Sequence, residues 1–204
     1  KIFSKLKVDN HLVSFKKADL RNSEEVFSAM DGCDSVFHVA SPVPIVQPKT
    51  GAEISNIMET AELGTLNVLR AALEQGVNRV IHTSSVTTIF GSETEKTSYN
   101  SSDWADPKGK NVNAYTKSKI LAEQAAWKFC IEHSVNLTTI HPSLVLGPAL
   151  ESDYGSSLEA IIKILRKELP LLPNFGFEIV DVRDTASLHR IALENPGAFG
   201  KRLI

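Results

Sequence analysis

The chain has 204 residues, 42% of them hydrophobic and 23% charged, with a formal net charge of −2 at pH 7, which is the balance of an ordinary globular domain. This charge provides no broad basic field, so we expect no binding to nucleic acid or to an acidic membrane. No apolar run approaches the roughly 18 residues that a membrane span requires. Two cysteines without redox or metal spacing, and a beginning without a signal-peptide pattern, favour a reducing compartment, the cytoplasm.

The first part of the chain alternates between strand and helix patterns. Apolar periodicity predicts a strand over residues 11–20, a helix over 23–31, a buried strand over 35–42 and a long helix over 51–75. Ser23 is the expected N-cap of the first helix. Gly32 and Gly76 follow the two helices, at positions where glycine commonly terminates a helix.

The second part continues the alternation. Predicted in order are a strand over 78–84, a helix from about 113 to 133, a strand over 137–141, a helix over 156–168, a strand over 178–184 and a helix over 184–194. Residues 91–112 are polar and read as an irregular excursion, and Asn113 is the expected cap of the helix that follows. Strands alternating with helices predict an α/β fold with a parallel sheet covered on both faces, and ligands bound beyond the carboxyl ends of the strands.

Two residues of the predicted 113–133 helix have the chemistry of an acid–base site. Tyr115 and Lys119 are four positions apart and therefore share a helix face. A nearby ammonium favours the phenolate, so we expect Lys119 to lower the pKa of Tyr115. Ser85 follows the predicted 78–84 strand, where its hydroxyl can polarise a carbonyl. A tyrosine one turn before a lysine is also an ordinary solvated helix surface, so the pattern gains weight only from the order of the whole chain.

Seven short segments, in chain order, carry a family resemblance. They are Ala18-Asp19-Leu20; Val36-Phe37-His38-Val39-Ala40-Ser41-Pro42; Gly64-Thr65-Leu66-Asn67-Val68-Leu69; Thr83-Ser84-Ser85; Tyr115-Thr116-Lys117-Ser118-Lys119; His141-Pro142-Ser143-Leu144-Val145-Leu146-Gly147-Pro148; and Val180-Asp181-Val182-Arg183-Asp184. Over essentially its whole length the chain resembles the extended short-chain dehydrogenase/reductases, in particular the branch of dihydroflavonol reductases, cinnamoyl-CoA reductases and microbial aldehyde or ketone reductases. The resemblance implies a Rossmann-like doubly wound sheet. It also implies a nucleotide-binding domain over 1–148 and, interleaved with it, the start of a substrate-binding region over 149–204.

The resemblance implies an oxidoreductase that transfers a hydride from NADP(H), or from NAD(H), to an aldehyde or ketone. Tyr115 is then the general acid, and Ser85 donates a hydrogen bond to the carbonyl oxygen. Lys119 lowers the pKa of Tyr115 and binds the nicotinamide ribose. The cofactor contacts that the resemblance implies, besides Tyr115 and Lys119, are Asp19, Leu20, Val39, Ala40, Ser41, Thr83, Pro142, Ser143, Leu144, Val145 and Ser157.

Several of these positions also have a structural explanation. A helix cap explains Asp19 as well as adenine contact does, and a helix N-cap explains Ser157 at least equally well. Thr83 is nearly as well explained by core packing. Asp181 and Asp184 are interpreted as carboxylates that cap a helix or pair with nearby arginines. The six histidines have no ligand spacing, so no metal site is expected.

The chain departs from the family pattern in three ways. The glycine-rich phosphate-binding turn does not occur, nor does the strand that selects between NAD and NADP, so the preference for NADP(H) rests on the branch. Family members also extend further at the carboxyl end, so the chain resembles an internal part of a longer reductase. Ala61 stands where many extended members have an asparagine, and no fourth catalytic residue is assigned.

Two other functions remain open at this point. One is a nucleotide-sugar epimerase or dehydratase on the same scaffold, and the other is a non-catalytic dinucleotide-binding or scaffold protein. Family members often pair through helices like those over 52–75 and 113–133, so a homodimer is an expectation by analogy. The expected substrate is a small carbonyl compound or alcohol.

Overall fold

The computed structural model describes residues 9–44, 48–92, 96–110, 112–151, 154–168, 171 and 176–204. Its helices are α1 (Ser23–Met30), α2 (Gly51–Glu74), α3 (Thr87–Phe90), α4 (Ala114–His133), α5 (Gly155–Leu165) and α6 (Val182–Glu194). Its strands are β1 (Val36–His38), β2 (Arg79–Thr83), β3 (Asn136–Ile140), β4 (Leu144–Leu146), β5 (Ile179–Asp181) and β6 (Arg202–Leu203). Short 3₁₀ turns occupy Asn10–Leu12 and Pro196–Ala198.

The main sheet has the strand order β1-β2-β3-β6, and every neighbouring pair in it is parallel. Strands β4 and β5 form a separate parallel pair. The predicted α/β, Rossmann-like parallel sheet is confirmed. All carboxyl ends of the main sheet lie at one edge, where such folds bind ligands. Because β6 pairs with β3, the end of the described chain returns to the main sheet. The proposed domain division at residue 148 stays a prediction.

Both faces of the sheet are covered, because successive side chains of a strand point to opposite faces. On β2, Val80 belongs to a large apolar cluster formed with α1, α2 and α4. The next residue, Ile81, belongs to a smaller cluster with Ala192 of α6 and Ile140 of β3. Every one of these four side chains is essentially inaccessible to solvent. Their burial therefore fixes which side of β2 each helix covers.

The long helices begin where the sequence predicts. Thr50 and Glu53 form a capping box at the start of α2, and the Asn113 side chain accepts from the backbone of Thr116 at the start of α4. The predicted cap of α1 is wrong: the side chain of Asn22, rather than Ser23, accepts from the backbone amides of Glu24 and Glu25. The residue before the helix can aim its side chain at these amides, whereas Ser23 is already inside the helix.

Asp181 caps α6 and pairs with the adjacent Arg183 at 2.6 Å. Asp184 lies in the first turn of the same helix, where a negative charge is favoured. The geometry of both residues matches the structural interpretation of the two carboxylates.

The predicted strand over 11–20 is wrong. Residues 13–19 have no regular secondary structure, and Leu12 and Phe15 are 81% and 78% exposed. An alternating pattern becomes a strand only when a neighbouring strand accepts its hydrogen bonds, and β1 pairs with β2 alone among the described strands. Contacts to neighbouring helices hold parts of this segment: Lys16 Nζ donates to the backbone oxygen of Ser28 at 2.7 Å, and the backbone oxygen of Leu20 accepts from the buried amide of Asn67 at 2.8 Å.

Two further differences concern the second half of the chain. The stretch after β3, for which the sequence predicted no strand, contains the short strand β4, because Leu144–Leu146 pairs with Ile179–Asp181. The excursion over 91–112 is irregular in its described residues, as predicted, and residues 93–95 and 111 lie outside the described part. The described helices include none that is both long and apolar enough to cross a membrane.

Candidate active site

Ser85 lies just beyond the carboxyl end of β2, in the middle of the sheet. The amides of Ser84 and Val86 donate to the carbonyl oxygens of Ile140 and Pro142 at 2.7 and 3.1 Å, so the two chains stay side by side past the end of the strands. The hydroxyl oxygen of Ser85 accepts from the backbone amide and the hydroxyl of Thr87 at 3.3 and 3.1 Å. The hydroxyl hydrogen of Ser85 therefore stays available to donate to another group.

Tyr115 reaches Ser85 from the first turn of α4. The side chain of Ser85 is close enough to the partly buried phenol to influence its pKa. Burial raises the pKa of Tyr115, and the Ser85 side chain opposes that rise. Lys119 is not among the groups that shift this pKa, so the expectation that it would lower the pKa of Tyr115 is wrong for this arrangement.

Lys119 is 5% exposed and donates a hydrogen bond from Nζ to the carbonyl oxygen of Thr83 at 3.1 Å. Burial lowers its pKa to about 8, although the carboxylate of Glu123 acts in the opposite direction. Ser85, Tyr115 and Lys119 thus converge at the carboxyl end of β2. Between Ser85 and Tyr115 the chain forms α3 and the irregular excursion over residues 91–112.

Two buried histidines on adjacent strands lie near Lys119. The rings of His38 and His82 stack at 5.0 Å, and Nε2 of His38 contacts the hydroxyl of Thr65 at 3.2 Å. Burial and the charge of Lys119 lower the pKa of His38 to about 4, and burial and the neighbouring groups hold that of His82 well below its usual value. The two imidazole rings near Lys119 are therefore uncharged at neutral pH. Within the described ranges, no group of three histidine, cysteine or carboxylate side chains is arranged to hold a metal ion.

The cofactor contacts implied by the family resemblance gather mainly at the same sheet edge. Val39, Ala40 and Ser41 follow β1, Thr83 ends β2, and Pro142 and Ser143 follow β3. Val39 and Ala40 are exposed, and Ser41 is partly buried. Because parallel strands place their carboxyl ends together, these backbone segments form one continuous rim beside Tyr115 and Lys119.

Asp19 and Leu20 lie just before α1, which begins at Ser23. Asp19 is not a helix cap, since Asn22 has that role; its carboxylate pairs with Arg21 at 2.7 Å, and hydrogen bonds from Arg21 lower its pKa to about 2. Leu20 packs on Gly64 of α2, where an added Cβ would approach within 2.9 Å. This close contact explains why a glycine occupies that position of the helix.

A separate cleft of about 310 Å³ contains two of the remaining predicted contacts, Val145 and Ser157. It lies between the β4 region and the start of α5, and Val145, Pro148 and Ser157 are among its lining residues. Leu144 is the first residue of β4. Ser157 is the third residue of α5 rather than its cap, and the cap position, Tyr154, makes no side-chain capping bond. The explanation of Ser157 as an N-cap therefore does not hold.

The structure adds two residues to the site that the sequence reasoning did not single out. His189 of α6 donates from Nδ1 to the Thr185 carbonyl oxygen, so its Nε2 accepts from the hydroxyl of Thr83 at 2.7 Å. This bond favours the structural explanation of Thr83. Glu123 is fully buried one helical turn after Lys119. Its four-residue spacing from Lys119 was the available signal, whereas nothing in the sequence indicated His189.

Comparison with known proteins places these observations in a family. The profile of the NAD dependent epimerase/dehydratase family matches residues 3–202. Cinnamoyl-CoA reductase 1 of Petunia hybrida is 37% identical over 191 residues, which cover 92% of this chain and 55% of that protein. Anthocyanidin reductase of Arabidopsis thaliana is 32% identical over 202 residues, covering 91% of this chain and 58% of that protein. The chain thus spans a little over half the length of these relatives.

Solved structures of reductases have the same fold. The yeast methylglyoxal/isovaleraldehyde reductase Gre2, complexed with NADPH, superposes with a TM-score of 0.77 at 27% identity and covers 91% of this chain and 61% of its own. Vestitone reductase from alfalfa gives a TM-score of 0.74 at 26% identity, covering 96% and 61%. From its sequence profile and its fold, the chain belongs to the NAD dependent epimerase/dehydratase family.

Proposed function

We propose that the protein is a reductase that transfers a hydride from NADP(H), or less favourably NAD(H), to an aldehyde or ketone. The observation that carries the proposal is the convergence of Ser85, Tyr115 and Lys119 at the carboxyl end of β2, with the Ser85 side chain close enough to Tyr115 to influence its pKa. A phenol and a hydroxyl at one point can act on one carbonyl oxygen. Reductases among the relatives, one of them solved with NADPH, support the same reaction class.

The residues present fit a nicotinamide cofactor. Among the described residues, Nζ of Lys119 donates to one backbone oxygen, which leaves donor capacity for ribose hydroxyls. The backbone rim after β1 and β3 lies at the same sheet edge. When bound, the cofactor supplies the hydride.

The protein's own groups then handle the proton and the developing charge. Ser85 donates a hydrogen bond to the substrate oxygen, and the charge on that oxygen grows as the carbonyl is reduced. A phenol with its ordinary pKa of about 10 is already protonated at neutral pH, and burial raises the pKa of Tyr115 further, so Tyr115 has a proton to donate as general acid. Lys119 would hold the ribose through the donor capacity of its ammonium. These roles would direct the hydride to the carbon and the proton to the oxygen of one carbonyl group.

The direct test is Tyr115→Phe in the full-length protein, assayed by NADPH oxidation. The carbonyl panel includes isovaleraldehyde and methylglyoxal, named for Gre2, and cinnamoyl-CoA, named for the petunia relative. We expect kcat/KM to fall at least about 10²-fold, the range of positioned proton transfer, while NADPH still binds. Tyr99→Phe, which removes a phenol hydroxyl from the irregular excursion, is the matched control. Activity of Tyr115→Phe within about threefold of wild type would contradict the proposal.

A nucleotide-sugar epimerase or dehydratase is the main competing function. A UDP-glucose 4-epimerase structure resembles the chain at a TM-score of 0.71 but only 21% identity, which shows the fold alone. The two functions differ in cofactor use: a reductase consumes NADPH in proportion to product, whereas an epimerase retains its cofactor unchanged over many turnovers. Binding of NADPH without turnover of any substrate would instead favour a non-catalytic binding protein. A homodimer through the surfaces of α2 and α4 and a cytoplasmic location stay predictions.

A further inference from the structure

The Glu123 carboxylate lies at the centre of a buried polar network. It is 0% exposed. Its oxygen Oε1 accepts from Arg202 Nε at 2.8 Å, His141 Nε2 at 2.9 Å, and Trp127 Nε1 and Thr139 Oγ1, both at 3.2 Å. Oxygen Oε2 accepts from the hydroxyl of Ser84 at 2.6 Å. Burial alone would raise the pKa of Glu123, but hydrogen bonds from His141, Arg202 and Ser84 hold it well below its usual value.

His141 adds to this arrangement from β3's carboxyl end. Its Nδ1 faces the carbonyl oxygen of Leu203 at 2.9 Å, and its Nε2 faces Glu123. Both ring nitrogens of His141 contact oxygen atoms, one on β6 and one on α4. Arg202 and His141 thus bind one carboxylate from two neighbouring strands, β6 and the end of β3. The buried ion pair of Glu123 and Arg202 is weak evidence for a role in stability, because proteins in which apolar residues replace a buried ion pair are often equally stable.

The Arg202 guanidinium extends the network from Glu123 to the irregular segment before α4. Nη1 donates to the backbone oxygens of Ser101 and Asp103 at 2.9 and 2.5 Å. The guanidinium lies 3.8 Å from the centre of the Trp104 ring, a cation–π contact. One side chain therefore attaches residues 101–104 to the core of the sheet.

Both members of the pair also reach the residues around Ser85. Glu123 binds the hydroxyl of Ser84, the residue before Ser85. Arg202 Nη2 donates to the hydroxyl of Thr88 at 3.2 Å, and that hydroxyl donates to the backbone oxygen of Ser85 at 3.0 Å. Ser85 is thus fixed from two directions by hydrogen bonds that begin at one ion pair.

We propose that Glu123 and Arg202 are positioning residues that together fix the hydroxyl of Ser85 against Tyr115 and hold residues 101–104 beside the site. The inference rests on the proposed reductase function, since its effect is exerted through Ser85. Small displacements of a catalytic group cost large factors in rate, so loosening this pair should lower kcat more than it weakens NADPH binding.

The test is Glu123→Gln in the full-length protein, in two backgrounds. In the wild-type background we expect kcat to fall at least tenfold, with the KM for NADPH within about twofold of wild type. In a Ser85→Ala background, the same substitution should change kcat by less than about twofold, because its route of action is already removed. Glu132→Gln, an exposed carboxylate on the same helix, is the control for charge removal and should leave kcat unchanged.

Tryptophan emission is a second readout that does not depend on turnover. Both tryptophans of the chain contact the pair, Trp127 through Glu123 and Trp104 through Arg202. Glu123→Gln should shift the emission of the folded protein, and Glu132→Gln should not. If Glu123→Gln does not yield folded protein, Arg202→Lys takes its place in the same cycle, since lysine keeps the charge but loses the planar set of donors.

The outcomes separate this inference from the proposed function. Equal losses of kcat in the wild-type and Ser85→Ala backgrounds, or a loss below twofold in the wild type, would overturn the positioning role while leaving the reductase assignment intact. If the wild-type protein failed to oxidise NADPH with every carbonyl compound of the panel, the reductase function and this inference would both be overturned.

Discussion

The burial of Lys119 predicts that its ammonium destabilises the folded protein, and that this cost disappears as pH rises. Replacement by methionine keeps a side chain of similar length and removes the ammonium, which is 5% exposed and has its pKa lowered from 10.5 to about 8 by burial. Below pH 8 the lysine is charged in both folded and unfolded chains, so the folded protein bears the whole cost of burying the charge. The wild type is therefore stabilised, relative to Lys119→Met, as pH rises.

The magnitude follows from proton linkage. Between about pH 8 and 10.5 the unfolded chain binds one more proton at this lysine than the folded chain does, so the free energy of unfolding rises with pH. At 1.36 kcal/mol per pKa unit, a lowering of this size corresponds to about 3 kcal/mol. Loss of the hydrogen bond to Thr83 adds a constant offset and leaves this pH dependence unchanged.

Urea unfolding followed by tryptophan fluorescence at several pH values from 7 to 11 measures the effect. We expect the free energy of unfolding of wild type minus that of Lys119→Met to increase by about 3 kcal/mol across this range. Lys128→Met, an exposed position on the same helix, is the matched control. A difference that is constant with pH, or one that decreases, would refute the assignment of a destabilising buried ammonium.

Three further predictions test the packing, the capping and the thiol chemistry. Leu69→Ala removes a side chain that is 1% exposed and should lower the free energy of unfolding by about 2–5 kcal/mol, whereas Leu73→Ala, at an exposed position of α2, should cost under about 1 kcal/mol; equal costs would contradict the core assignment. Asn113→Ala removes the cap of α4 and should cost about 1 kcal/mol in denaturant unfolding, and no measurable loss would count against the cap. Burial raises the pKa of Cys130 to about 12, whereas Cys33 is exposed. Thiol labelling at pH 8 followed by peptide mass spectrometry should therefore find Cys33 modified and Cys130 unmodified until the protein unfolds. Prompt labelling of Cys130 in the folded protein would show that this thiol is accessible.

Local signals in the sequence predicted most helices and strands. Asn113 and the pair Thr50 and Glu53 act within one helical turn, so the starts of α4 and α2 depend on nearby residues only. The apolar run before Ser85 predicted a buried strand for the same reason, and β2 is almost wholly inaccessible. Tyr115 and Lys119 share a helix face wherever that helix lies.

The errors arose where the answer depends on distant parts of the chain. Residues 11–20 have strand periodicity, but a strand also needs a partner, which the local pattern cannot supply. The pKa of Tyr115 moved opposite to the expectation because spacing along a helix gives proximity to Lys119 but not the extent of burial. β4 escaped notice since its partner, β5, lies more than thirty residues later.

The sequence by itself determined the alternation of strands and helices, the family, and the identity of Ser85, Tyr115 and Lys119 as candidates, because these depend on local periodicity and on short ordered motifs. Only the tertiary structure decided how the residues that support them are connected. Arg202 is 79 residues from its partner Glu123, and the two meet because β6 closes the sheet beside β3. Burial, and with it the pKa of Lys119 and the charge of the Glu123 network, is a property of the packed sheet and helices rather than of any single segment.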